Sequence, residues 1–151
     1  MFNRILVTVD GSDLSERALE PAFHIAQKFG AQVILLRVVT PEPVALAGRL
    51  AGEYGNLNSL RDRQDQQDLL DAEQYLRGLQ AEWHNTHVPI RTQTGSGAAP
   101  QVILDVAEAV DADLIVMSTH GRAGFSRLLY GSVAEAVLRG TRLPVLLIPI
   151  K

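Results

Sequence analysis
A chain of 151 residues suffices for one hydrophobic core and is short for two, so one domain over residues 1–151 is expected. Apolar residues at 46%, charged residues at 21% and a formal net charge of −3 with scattered arginines argue for a folded chain and against a nucleic-acid partner. The absence of cysteine excludes disulfides and thiolate chemistry, and no apolar run nears the roughly 18 residues of a membrane span.

Phe2-Asn3-Arg4 leads directly into a strand pattern instead of a signal peptide, so no membrane association is expected and a cytoplasmic location is the default. Ile5 to Val9 is an apolar run without polar alternation, the pattern of a strand covered on both faces. Asp13-Leu14-Ser15-Glu16 has capping-box spacing and predicts a helix that buries Leu14, Ala18, Ala22, Ile25 and Phe29 and ends at Gly30. Val33 to Val39 is a second continuous strand. Strand, helix and strand within forty residues make a right-handed crossover with parallel strands, the start of a doubly wound α/β fold.

From Thr40 to Ser59 periodicity lapses and prolines, glycines and asparagines accumulate, which predicts a flexible loop that either folds over a ligand or is an insertion without a role. Leu69, Ala72, Leu76, Leu79 and Trp83 then mark one face of a long helix. Val88 to Thr94 is more polar and reads as an edge strand. Gly95-Ser96-Gly97 lacks both the downstream glycine of a dinucleotide fingerprint and the Gly-Lys of a Walker motif, so it weighs against a phosphate loop.

Pro100 suits the first turn of the next helix, with Val102, Val106 and Val110 as its buried stripe. Asp113 to Met117 is a fourth strand. The last helix follows Gly131, packs Val133, Val137 and Leu138, and stops at Gly140. Pro144 to Pro149 closes the chain as a fifth strand; a proline at each end favours a sheet edge, and a bare apolar edge invites a second chain.

Leu114 to Ser132, LIVMSTHGRAGFSRLLYGS, concentrates the chemistry: strand, glycine loop, helix. Glycines let backbone N–H groups approach an anion, and a helix beginning near Ser132 adds unpaired donors and the positive end of its dipole. The alternative is a plain connection whose glycines serve only its turns. Asp10 is a candidate acceptor for ribose or base, or else caps its own turn over Gly11-Ser12. Arg122 and Arg127 are the cations near the loop, and His120 either orders it or acts as a base. His84 and His87 lack a third ligand, His24 reads as structural, and no Gly-x-Ser-x-Gly elbow is present, so neither catalytic residues nor a metal site is assigned.

Asp10, Val38 and STHGRAGFSRLLYGS resemble the universal stress protein family in its nucleotide-binding branch, which carries a glycine, two residues, a glycine, nine residues, then glycine and serine or threonine. Gly121, the nine residues Arg122 to Tyr130, and Gly131-Ser132 match, whereas Ser118 replaces the first glycine. The resemblance implies an α/β, Rossmann-like three-layer sandwich: a five-stranded parallel sheet in the order 3-2-1-4-5 with four helices. It implies that ATP is bound, with Mg2+ accompanying the phosphates. Thr8 and Val9 would pack near the base, Asp10 would meet the ribose or base, and the Val38 backbone would meet the adenine edge. Met117, Ser118, His120, Gly121, Arg122 and Gly124 would follow along the strand end and loop, with Gly131, Ser132 and Val133 completing the phosphate cradle. It further implies a homodimer through strand 144–150. The expected role is a nucleotide-dependent switch or adaptor with an unknown protein partner. The alternatives are a slow ATPase, disfavoured by the lack of a base, nucleophile or lysine near the loop, and a nucleotide-free dimeric stress protein.

Overall fold
The apolar runs build five parallel strands: β1 (Arg4–Thr8), β2 (Gln32–Val39), β3 (Ile90–Ser96), β4 (Leu114–Thr119) and β5 (Val145–Pro149). They lie in the order β3-β2-β1-β4-β5, with Val7 opposite both Leu35 of β2 and Val116 of β4. This is a computed structural model, and it describes residues 1–41, 57–119 and 131–149. The expected loop 40–59 therefore falls mostly outside the described residues; its last three residues belong to a helix that already begins at Leu57. The glycine loop from His120 to Tyr130 also lies outside them.

Among the described residues four α-helices cover the sheet: α1 (Leu19–Phe29), α2 (Leu57–Glu82), α3 (Ala99–Ala109) and α4 (Ser132–Gly140). Because successive strand residues point to opposite faces, each central strand feeds two cores. Ile5, Val7, Val33, Leu35 and Val116 meet Phe23 of α1 and Leu76 of α2 on one face. On the other, Leu6, Ile34, Leu36, Ile115 and Met117 meet Ile103 of α3 and Val137 of α4. Burying one such side chain contributes about 1.5–3 kcal/mol, so both faces must be covered.

Several local expectations shift. The Asp13–Glu16 capping box does not form; a 3-10 turn over Ser15–Ala18 precedes α1, and Ser15 N–H donates instead to Ser12 Oγ at 3.1 Å. That turn resets the helical phase, so Leu19 and Phe23 are buried while Leu14 and Phe29 are exposed. Ile103 and Ala107, not Val102, Val106 and Val110, form the fully buried line of α3. The valines flank it because Val102 turns toward β3, over Gly95. In α4 the buried residues are Ala134 and Val137; Leu138 stays 37% exposed, one position outside the arc that faces the sheet. Gly30 does end α1 in the left-handed conformation, and Pro100 does sit in the first turn of α3.

Candidate nucleotide site at the strand ends
Crossovers return the chain to the start of the next parallel strand, so every helix runs opposite to the strands and begins at their carboxyl edge. The order β3-β2-β1-β4-β5 reverses between β1 and β4. Ligands of open α/β sheets bind at such a point. The ends of β1, β2 and β4, with the start of α4, therefore share one edge, which brings together the predicted residues Thr8, Val9, Asp10, Val38, Met117, Ser118, Gly131, Ser132 and Val133. His120, Gly121, Arg122 and Gly124 lie outside the described residues, as does Arg127.

The Asp10 turn is held tightly. Asp10 Oδ1 accepts from Ser12 N–H at 2.9 Å and from Ser12 Oγ at 2.5 Å. Ser15 Oγ accepts from Asp10 N–H and donates to the Ser12 carbonyl. Gly11 has φ +88°, a conformation that a side chain disfavours. The carboxylate thus performs the capping role; with about four acceptor positions, a carboxylate can cap and meet a ligand together. On the adjacent strand, Val9 N–H donates to the Leu36 carbonyl at 3.0 Å, which sets the Asp10 turn beside Arg37 and Val38.

Ser118 is not a loop residue. It is the penultimate residue of β4, pairs in register with Ile148 of β5 and is 9% exposed. Among the described residues, only His87 and Asp111 are non-glycines with positive φ, so the backbone at Ser118 has no need of glycine. Met117 and Val9 are buried in opposite cores, Val133 is half-buried beside the first, and Thr8 is half-buried at the strand end.

At α4, Gly131 is the N-cap, with φ −59° and ψ 158°, and the first helical bond runs from Glu135 N–H to the Gly131 carbonyl at 3.0 Å. The N–H groups of Ser132, Val133 and Ala134 therefore have no acceptor within the helix, and they point from its positive end toward the strand edge. This is the donor set that phosphate needs.

A cleft of about 550 Å³ opens beside the Asp10 turn, lined among others by Gly11, Arg37, Val38, Asp71 and Tyr75. Tyr75 donates its hydroxyl to Glu16 Oε1 at 2.6 Å. Burial, and then this carboxylate, hold the phenol well above its usual range, so it remains a donor at physiological pH. Arg37, Glu16 and Tyr75 belong to no motif. The one local signal was Arg37, a lone cation inside the apolar run of β2.

Comparison with known proteins gives the family and supports the fold. The family described as "Universal stress protein family" matches residues 1–149. The chain belongs to the universal stress protein family. It is 34% identical over 149 residues to universal stress protein MJ0531 of Methanocaldococcus jannaschii, covering 98% of this chain and 82% of that one. Among solved structures, protein MJ0577 of the same organism superposes with a TM-score of 0.74 at 22% identity, covering 100% of this chain and 98% of that one. The universal stress protein from Archaeoglobus fulgidus in complex with dAMP gives 0.66 at 21% identity, covering 98% of each chain.

This universal stress protein places its strand ends and the α4 terminus on one edge. Of the histidines among the described residues, His84 bonds the Ala81 carbonyl at 2.8 Å in a turn after α2, His87 follows that turn, and His24 is exposed on α1. Among the described residues no group of three His, Cys, Asp or Glu could hold a metal, and no helix is long and apolar enough to cross a membrane.

Proposed function
We propose that this universal stress protein binds ATP with Mg2+ at the ends of β1, β2 and β4 and works as a nucleotide-dependent switch or adaptor in the cytoplasm. The observation that carries this reading is the α4 terminus, whose Ser132, Val133 and Ala134 N–H groups face the edge where the Asp10 turn and Val38 border a cleft. Bound phosphate would be held by those N–H groups and the Ser132 hydroxyl; the nucleoside would lie toward Asp10 and the Val38 backbone. Magnesium would be ligated chiefly by phosphate oxygens and water, the usual arrangement for this ion. The dAMP complex of the Archaeoglobus relative supports an adenine nucleotide as the class of ligand.

A switch is favoured over an enzyme because backbone donors and a capping carboxylate bind and orient without supplying a base or nucleophile. A homodimer through β5 accompanies this reading. β5 is an edge strand, and its residues Val145 to Ile148 are only half-buried by this chain. Light scattering on the full chain at micromolar concentration tests it; a monomer there removes the dimer.

The nucleotide reading is tested by denaturing freshly purified protein, identifying any released nucleotide by chromatography and mass, and titrating the emptied protein with ATP and Mg2+. ATP near one per chain, or micromolar rebinding, is expected. No nucleotide and no binding at millimolar ATP would overturn it in favour of the nucleotide-free dimer. Steady phosphate release at the bound site would replace the switch by a slow ATPase.

A further inference from the structure
The Asp10 turn is braced from outside by two elements distant in sequence. From β2, the Arg37 guanidinium lies against Gly11: a β-carbon placed there would be 3.5 Å from Arg37 Nη2. From α2, Tyr75 reaches across to the 3-10 turn that follows Asp10 and donates to Glu16 at 2.6 Å. Glu16 N–H in turn reaches the Ser12 carbonyl at 3.4 Å, so the anchor is fastened to the same loop that Asp10 closes. Tyr75 and Gly11 both line the cleft, together with Val38. A hydrogen bond between its walls fixes how far apart they stand.

We infer that Tyr75 is a positioning residue for the nucleoside end of the site: by fastening α2 to Glu16 it holds the Asp10 turn at a set distance from Val38 and fixes the width of the cleft. This rests on the adenine-nucleotide reading above. A phenol suits the task because its ring packs beside the buried face of α2 while its hydroxyl spans the remaining gap.

The test uses the full chain and three variants, Tyr75→Phe, Glu16→Ala and Glu16→Gln, with ATP and AMP titrated by calorimetry. Tyr75→Phe should weaken both nucleotides by the same factor, about three- to tenfold. Glu16→Ala should match it, the double variant Tyr75→Phe/Glu16→Ala should be no worse than either single change, and Glu16→Gln, which keeps the acceptor oxygen, should restore most of the affinity. In the nucleotide-free protein, the amides of Ser12 and Ser15 should exchange faster in Tyr75→Phe and recover their protection in Glu16→Gln. Unchanged affinity in Tyr75→Phe, a loss confined to ATP, or Glu16→Gln behaving like Glu16→Ala would each overturn the inference while the nucleotide reading stands. A wild-type chain that binds neither ATP nor AMP overturns both.

Discussion

Gly95 exists to make room for Val102: a β-carbon at Gly95 would collide with Val102 Cγ1, and Gly97 gives the same side chain a second close approach at 3.2 Å. The Gly95-Ser96-Gly97 run at the end of β3 therefore serves the packing of α3 against an edge strand. A short glycine run that resembles a phosphate loop here has a steric purpose.

Gly95→Ala should accordingly destabilise the fold by about 1–3 kcal/mol, since the branched side chain it strikes has little freedom to move. Urea unfolding checks this, and ATP affinity under native conditions should be unchanged. A stable variant with impaired ATP binding would return the run to the ligand site.

Gly131→Val tests the start of α4. At φ −59° and ψ 158° the backbone accepts any L-residue, so loss of stability should stay near the few tenths to about 1 kcal/mol of an unfavourable N-cap. The added branches would stand where phosphate approaches Ser132 and Val133 N–H. ATP affinity should fall at least about tenfold, or about 1.4 kcal/mol. Unchanged affinity by calorimetry would remove α4 from the site.

Tyr75 makes a pH prediction with a definite sign. Its folded pKa is raised above the ordinary 10.0, first by burial and then by Glu16, while Arg37 acts in the opposite sense and Asp10 adds to the rise. Asp71 and Asp68 line the same cleft. A group that binds its proton more tightly when folded contributes stability that is complete below about pH 10 and is lost as pH climbs toward the raised value. Denaturant unfolding from pH 8 to 11.5 should show wild-type stability falling more steeply than that of Tyr75→Phe above pH 10. Parallel curves would mean that the phenol titrates normally.

Leu76 is fully buried in the core between α2 and the sheet. Leu76→Ala should cost about 2–5 kcal/mol by leaving a cavity among Val33, Leu35 and their neighbours. A loss below 1 kcal/mol in thermal or urea unfolding would show that α2 contributes little to the core.

What the amino-acid order determined by itself is local: which runs become strands and where chain direction changes. Ile5–Val9 and Val33–Val39 read as doubly covered strands because no polar residue alternates with the apolar ones over most of their length, and Gly30 and Pro100 mark helix boundaries through their own backbone preferences. Those signals, joined to the right-handed crossover rule, suffice for a parallel sheet whose carboxyl edge carries Asp10, Val38 and Ser132. Helix phase was less legible. In α3 and α4 adjacent apolar stripes compete, and Ile103 and Ala134 were buried instead of Val102 and Leu138 because of what lay opposite them.

The tertiary structure alone decided the rest, because it depends on pairs far apart in the chain. Glu16 and Tyr75 are 59 residues apart, and nothing near either residue marks it as the other's partner. Ser118, a departure from the motif when read along the chain, is an ordinary extended strand residue once β5 pairs beside it. Periodicity and turn chemistry act within a few residues, whereas the width of a cleft and the room for a β-carbon are set only when distant segments pack.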